Sequence, residues 1–116
     1  MDMTNYIKIN KKDDITIVTI LFSEISIEEA EEFRATLYKI LSDEHKKFII
    51  NMSKCVFLPS VALGVLVRFN AKVVEKSGRM VFCCLSDQVK SLFEITRLDK
   101  IFTIYNTEQE AIDSLK

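Results

Sequence analysis

The chain has 116 residues, 48% hydrophobic and 28% charged, with two glycines, one proline and no tryptophan. That length buries one ordinary core, and the composition excludes a disordered or loop-rich chain. Sixteen basic and 17 acidic residues leave a net charge of −1, which excludes the basic stripe of a nucleic-acid binder.

Residues 6–9 (YIKI) and 15–21 (ITIVTIL) read as strands, rich in isoleucine, valine and threonine. The polar stretch 10–14 between them contains no glycine, and a hairpin is the simplest connection. Residues 22–25 form a short link. Ser26 then opens a helix: with Glu29 it has capping-box spacing, and Ala30, Phe33, Leu37, Ile40 and Leu41 recur on one face. Glu28, Glu29, Glu31 and Glu32 crowd the first turns, where the helix dipole favours anions, and read as a solvated face.

A polar break at 42–47 holds the sole histidine, His45, which has no second ligand residue near it in sequence and reads as a surface side chain. Phe48, Ile49 and Ile50 follow, apolar throughout, as a central strand covered on both faces. From 61 to 76 the pattern is helical, most apolar in its first half. Gly64 costs such a helix roughly 1 kcal/mol relative to alanine, which predicts a close approach of helix to sheet. Gly78 is expected as the left-handed stop. Residues 80–85 (MVFCCL) read as another apolar strand, and Ser86 as the cap of a helix burying Val89, Leu92 and Phe93. Residues 101–105 (IFTIY) read as the last strand. Thr107 and Glu110 have capping-box spacing at the start of a short helix burying Ala111, Ile112 and Leu115.

This alternation predicts one α/β domain over residues 1–116: a mixed, mainly parallel sheet of about five strands, with an N-terminal hairpin and four helices. Cys55, Cys83 and Cys84 lack framework and Cys-x-x-Cys spacing, so neither a disulfide scaffold nor a zinc site is expected. Adjacent Cys83 and Cys84 would face opposite sides of a strand and read as core thiols in a reducing compartment. There is no secretory apolar core and no run of membrane-spanning length, so the expectation is a cytoplasmic protein without a membrane partner. One histidine and dispersed acids assemble no catalytic constellation, so no enzyme, metal or cofactor is expected. A small enzyme using Ser60 or a thiol is the rival class; it would require turnover or a fast-reacting cysteine.

Four stretches in a fixed order carry a family likeness: FLPSVALGVL at 57–66, GRMVF at 78–82, VKSLFEITRL at 89–98, and IF at 101–102 with EQEAIDSL at 108–115. Together they resemble the STAS domain of bacterial anti-sigma factor antagonists. The resemblance implies partner switching. The unphosphorylated antagonist binds an anti-sigma factor that is itself a serine kinase; the kinase phosphorylates the first serine of the motif, the two separate, and a phosphatase resets the cycle. By position, Ser60 is the candidate phosphoacceptor. Ser23, Glu24, Ser26, Leu58, Pro59, Val61 and Ala62 are the candidate partner-binding residues, on the loop 22–26 and the start of the second helix. A phosphate adds about −1.5 to −2 charges, which a helix N-terminus can hold and an unmatched partner surface would repel.

The chain departs from the family pattern at that same place. Where the family has Asp-Ser-(Ser, Thr or Ala)-Gly-Leu-Gly, this chain has Pro59 for the aspartate, Val61 for the small residue and Ala62 for the first glycine, keeping Leu63 and Gly64. The family's Gly-x-Leu-Asp loop is Ser23, Glu24, Ile25 and Ser26 here, and Arg97 replaces the glycine of Thr-Gly-Leu. Two readings stay open beside the switch. Ser60 would serve as a plain N-cap, worth about 1 kcal/mol. The domain would serve as a phosphorylation-independent scaffold or signalling-complex subunit, self-associating into a homo-oligomer through the same surface.

Overall fold

Alternating apolar residues decide which side of the sheet each helix covers. The computed structural model describes residues 2–3 and 6–116. Among them the strands are β1 (Asp2–Met3), β2 (Ile7–Lys12), β3 (Ile15–Ile20), β4 (Lys47–Asn51), β5 (Arg79–Cys83) and β6 (Thr103–Tyr105). The helices are α1 (Ile27–Ile40), α2 (Ser60–Glu75), α3 (Asp87–Ile95) and α4 (Glu108–Leu115), with a 3₁₀ turn at Leu98–Lys100. The five expected strands and four expected helices are all present, and the two-residue β1 joins them at the edge.

Spatial order follows chain order, β1-β2-β3-β4-β5-β6. The first two pairings are antiparallel and the remaining three parallel. Stepping one strand at a time in one direction, right-handed crossovers place α1, α2 and α3 on the same face. Neighbouring rows of the sheet show this. Val18, Ile50 and Phe82 are in register and face the larger core with Phe33, Leu66, Phe69 and Phe93. Ile17, Ile49 and Val81 are in register one residue earlier and face the smaller core beneath α4, with Ala111, Ile112 and Leu115. Edge-on aromatic pairs lock the larger core: Phe48 with Phe69 at 5.0 Å between centroids and Phe82 with Phe93 at 5.3 Å. Such pairs add about 0.5–1.5 kcal/mol each beyond their burial.

Four local expectations are corrected. The hairpin turn is only Asp13 and Asp14, because β2 runs on through Lys12 and pairs with Ile15; Asp13 takes the positive φ of 57° that glycine usually supplies. Cys84 lies outside β5 at φ 63° and is half-buried, while Cys83 is wholly buried. Burial, with Cys84 beside it, pushes the Cys83 thiol well above its ordinary pKa. The left-handed residue after α2 is Ser77 (φ 63°), not Gly78. Gly78 is needed for closeness instead, since a Cβ there would stand 2.1 Å from the Lys46 carbonyl oxygen. Gly64, in contrast, does not face the sheet: the atoms nearest its Cβ position belong to Arg68.

Candidate functional site

In a parallel sheet the loops after the strands' C-terminal ends gather at one edge, where binding residues collect. Here the loop after β3 (residues 21–26) meets the loop after β4 (52–59) at that edge. Ser23, Glu24, Ile25, Phe57 and Pro59 line an open depression of about 430 Å³.

The β4–α2 loop is held from beneath. The Cys55 thiol donates to the Phe57 carbonyl at 3.1 Å, and the Ser86 hydroxyl donates to the Val56 carbonyl at 3.0 Å while accepting from the Val89 amide. Asn51, nearly buried at the end of β4, accepts from the Ser53 amide at 2.9 Å and donates to Glu108. With its backbone so fixed, the loop turns two apolar side chains outward: Val56 is 59% exposed and Phe57 54%. Burial pushes the Cys55 thiol above its ordinary pKa, which fits a structural role.

Pro59 and not Ser60 is the N-cap residue of α2, with extended φ −60° and ψ 146°; its carbonyl accepts the first helical bond, from the Leu63 amide at 2.9 Å. This corrects the expectation that Ser60 caps the helix. Ser60 is the first helical residue, exposed, and its hydroxyl makes no hydrogen bond among the described residues. Proline has no side-chain acceptor, so the amides of Ser60, Val61 and Ala62 have neither a helical carbonyl nor a side-chain cap among the described residues. The other three helices are capped: Ser26 accepts from Glu29, Ser86 from Val89 and Thr107 from Glu110.

The predicted site residues therefore divide. Ser23, Glu24 and Pro59 meet around the depression, with Ser60 directly after it. Ser26 is exposed but committed to α1, its hydroxyl accepting from the Glu29 amide at 3.0 Å. Val61 is half-buried. Leu58 and Ala62 are both fully buried, so the expectation that they touch a partner is corrected: they pack into the larger core and support the surface from below. Ile25 falls within the expected loop 22–26, whereas Val56 and Phe57 were not among the expected site residues. Sequence carried no signal for the last two, because Cys55 and Leu58 in the same loop are buried while Val56 and Phe57 are exposed.

A family model for the STAS domain matches residues 6–111. The anti-sigma-B factor antagonist of Listeria monocytogenes is 29% identical over 104 residues, 90% of this chain and 91% of that one. An anti-sigma-factor antagonist (STAS) domain protein from Planctomyces limnophilus superposes with a TM-score of 0.82 at 22% identity, covering 94% of this chain and 97% of the other. Bacillus SpoIIAA in its phosphorylated form superposes at 0.74 with 20% identity, covering 95% of this chain and 99% of the other.

Proposed function

Because the chain belongs to the STAS domain family, we propose that it is a regulatory protein-binding module of the anti-sigma factor antagonist kind, controlled by phosphorylation of Ser60. Its partner is an anti-sigma factor with serine kinase activity, opposed by a phosphatase. The observation that carries this reading is the exposed, unbonded Ser60 hydroxyl at the first position of an uncapped helix, beside the depression of Ser23, Glu24, Ile25, Phe57 and Pro59.

The chemistry follows from that placement. A kinase reaches an exposed hydroxyl without unfolding anything. In the unmodified state the outward Val56 and Phe57 offer apolar area, worth about 25 cal/mol per Å² removed from water. A phosphate on Ser60 places about −1.5 to −2 charges against that contact, and the open amides of α2 stabilise them in the free protein. Release then needs no refolding of the domain. Two relatives lend support: the Listeria protein is named for antagonism of an anti-sigma-B factor, and SpoIIAA takes a phosphorylated form.

Pro59 favours a second reading. A rigid, uncharged residue in place of the family's aspartate suits a permanent scaffold contact. Immobilised chain, incubated with lysate of its source cells, separates the two. The switch predicts that a serine kinase is retained, that it phosphorylates the bound chain, and that ATP releases it. It also predicts that Phe57→Ser abolishes retention. A complex that forms equally with and without ATP and carries no kinase activity would support the scaffold instead.

A further inference from the structure

Arg68 lies two turns along α2 from Ser60, with Gly64 midway. A Cβ at Gly64 would stand 3.4 Å from Arg68 Nη1, 3.6 Å from Nη2 and 3.8 Å from Cζ. The guanidinium therefore lies over the space of a missing side chain, bent toward the N-terminus of the helix as helical side chains do. Arg68 is exposed and forms no ion pair or hydrogen bond among the described residues. Its charge is felt by Glu31 on α1, whose carboxyl is held below the usual range mainly by its hydrogen bond with Arg34, and in smaller part by Arg68.

Side chains four apart on a helix have Cβ atoms about 6 Å apart, so Ser60 and the Gly64 position are neighbours. A phosphate oxygen is three single bonds from the Ser60 Cβ and spans most of that gap. The Arg68 guanidinium already occupies its far side. The arginine fork matches the phosphate's oxygens in shape as well as charge.

We propose that Arg68 is the internal ligand of a phosphate on Ser60, reaching it across Gly64. The inference rests on the reading of Ser60 as the phosphoacceptor. It gives Gly64 a role unlike the sheet contact its helical position suggested: any side chain there would stand between the two groups. It also adds a second event to the switch. Pairing draws a positive charge away from Glu31, so the outer face shared by α1 and α2 changes its charge pattern together with the start of α2. A partner docked there loses the arginine as it meets the phosphate.

The test uses the full chain with phosphoserine incorporated at position 60 during synthesis, so it needs no kinase. Phosphorus NMR titration reads the second pKa of the phosphate, ordinarily about 6. The chain is compared with the same phosphorylated chain carrying Arg68→Ala or Lys72→Ala, both exposed positions. The charged groups of the neighbouring segments, Glu24 in the loop before α1 and Glu28, Glu29, Glu31, Glu32 and Arg34 on α1, are present in all three. Pairing predicts that Arg68→Ala raises the phosphate pKa by about half a unit, while Lys72→Ala leaves it in place. An unchanged pKa in Arg68→Ala, or an equal shift from Lys72→Ala, overturns the proposal. Failure of a cellular kinase to modify Ser60 would count against the proposed function alone and leave this measurement intact.

Discussion

At its C-terminal end, α2 closes through a paired set of backbone bonds: Ser77 N–H donates to the Val74 carbonyl at 2.9 Å and Gly78 N–H to the Val73 carbonyl at 2.8 Å. At its N-terminal end the same helix has a proline for a cap, three amides without helical or side-chain acceptors among the described residues, and an exposed serine. The closed end is tied to the sheet, since the Lys46 carbonyl lies against Gly78 and accepts from the Arg79 amide at 2.9 Å, where β4 and β5 begin their pairing. The open end gives up the stabilisation the other three helices take from their caps. Backbone bonding is thus complete where strand register depends on it, and donors stay open at the start of α2, beside the exposed Ser60.

Three substitutions test this contrast, and a fourth tests a left-handed angle after α3. Gly78→Ala should have the largest effect, a loss of about 3 kcal/mol, because the new Cβ meets backbone at Lys46 and not the end of a flexible side chain. Denaturant unfolding reads it, and a loss too small to measure would mean the closed end is slack. Pro59→Asp should act in the opposite direction, gaining about 1 kcal/mol at neutral pH by supplying the missing cap. Amide bonds would lower that carboxyl's folded pKa, so the gain is present above its unfolded value of about 3.9 and is lost as pH falls through the folded one. A pH series of unfolding midpoints checks the sign.

Arg97→Gly should gain about 0.5 kcal/mol, since Arg97 sits at φ 62° after α3, a region costly for any side chain. The smallest effect is expected from Ser60→Ala: a change of no more than about 0.5 kcal/mol, because the hydroxyl caps nothing. A loss near 1 kcal/mol would show that Ser60 does act as a cap and that the start of α2 is not open.

The sheet and helices were legible because the helices carry a 3.6-residue period and the central strands read as short apolar runs. The rows Val18-Ile50-Phe82 and Ile17-Ile49-Val81 follow from simple alternation, and both expected capping boxes, at Ser26 and Thr107, form. Single backbone angles were less legible. Gly78 looks like a left-handed stop in sequence, yet Ser77 takes that angle and Gly78 serves the contact with Lys46. Arg97 holds a left-handed angle at the position where the family pattern has glycine, a strain that residue preference alone would not predict. The site was half legible. Ser23, Glu24 and Pro59 do meet, but Leu58 and Ala62 turn inward, because direction within a loop depends on tertiary packing and not on spacing. The Arg68 placement over Gly64 needed side-chain coordinates, since sequence spacing gives only a shared helix face.

Ser60, at the open start of α2, is the proposed phosphoacceptor. The most direct test of that role incubates the purified chain with ATP and a lysate of its source cells, beside Ser60→Ala, and maps any modification by intact mass and peptide analysis. One phosphate is expected, on Ser60, absent from the variant. No phosphate on Ser60, in a lysate whose kinase modifies a standard antagonist, would contradict it.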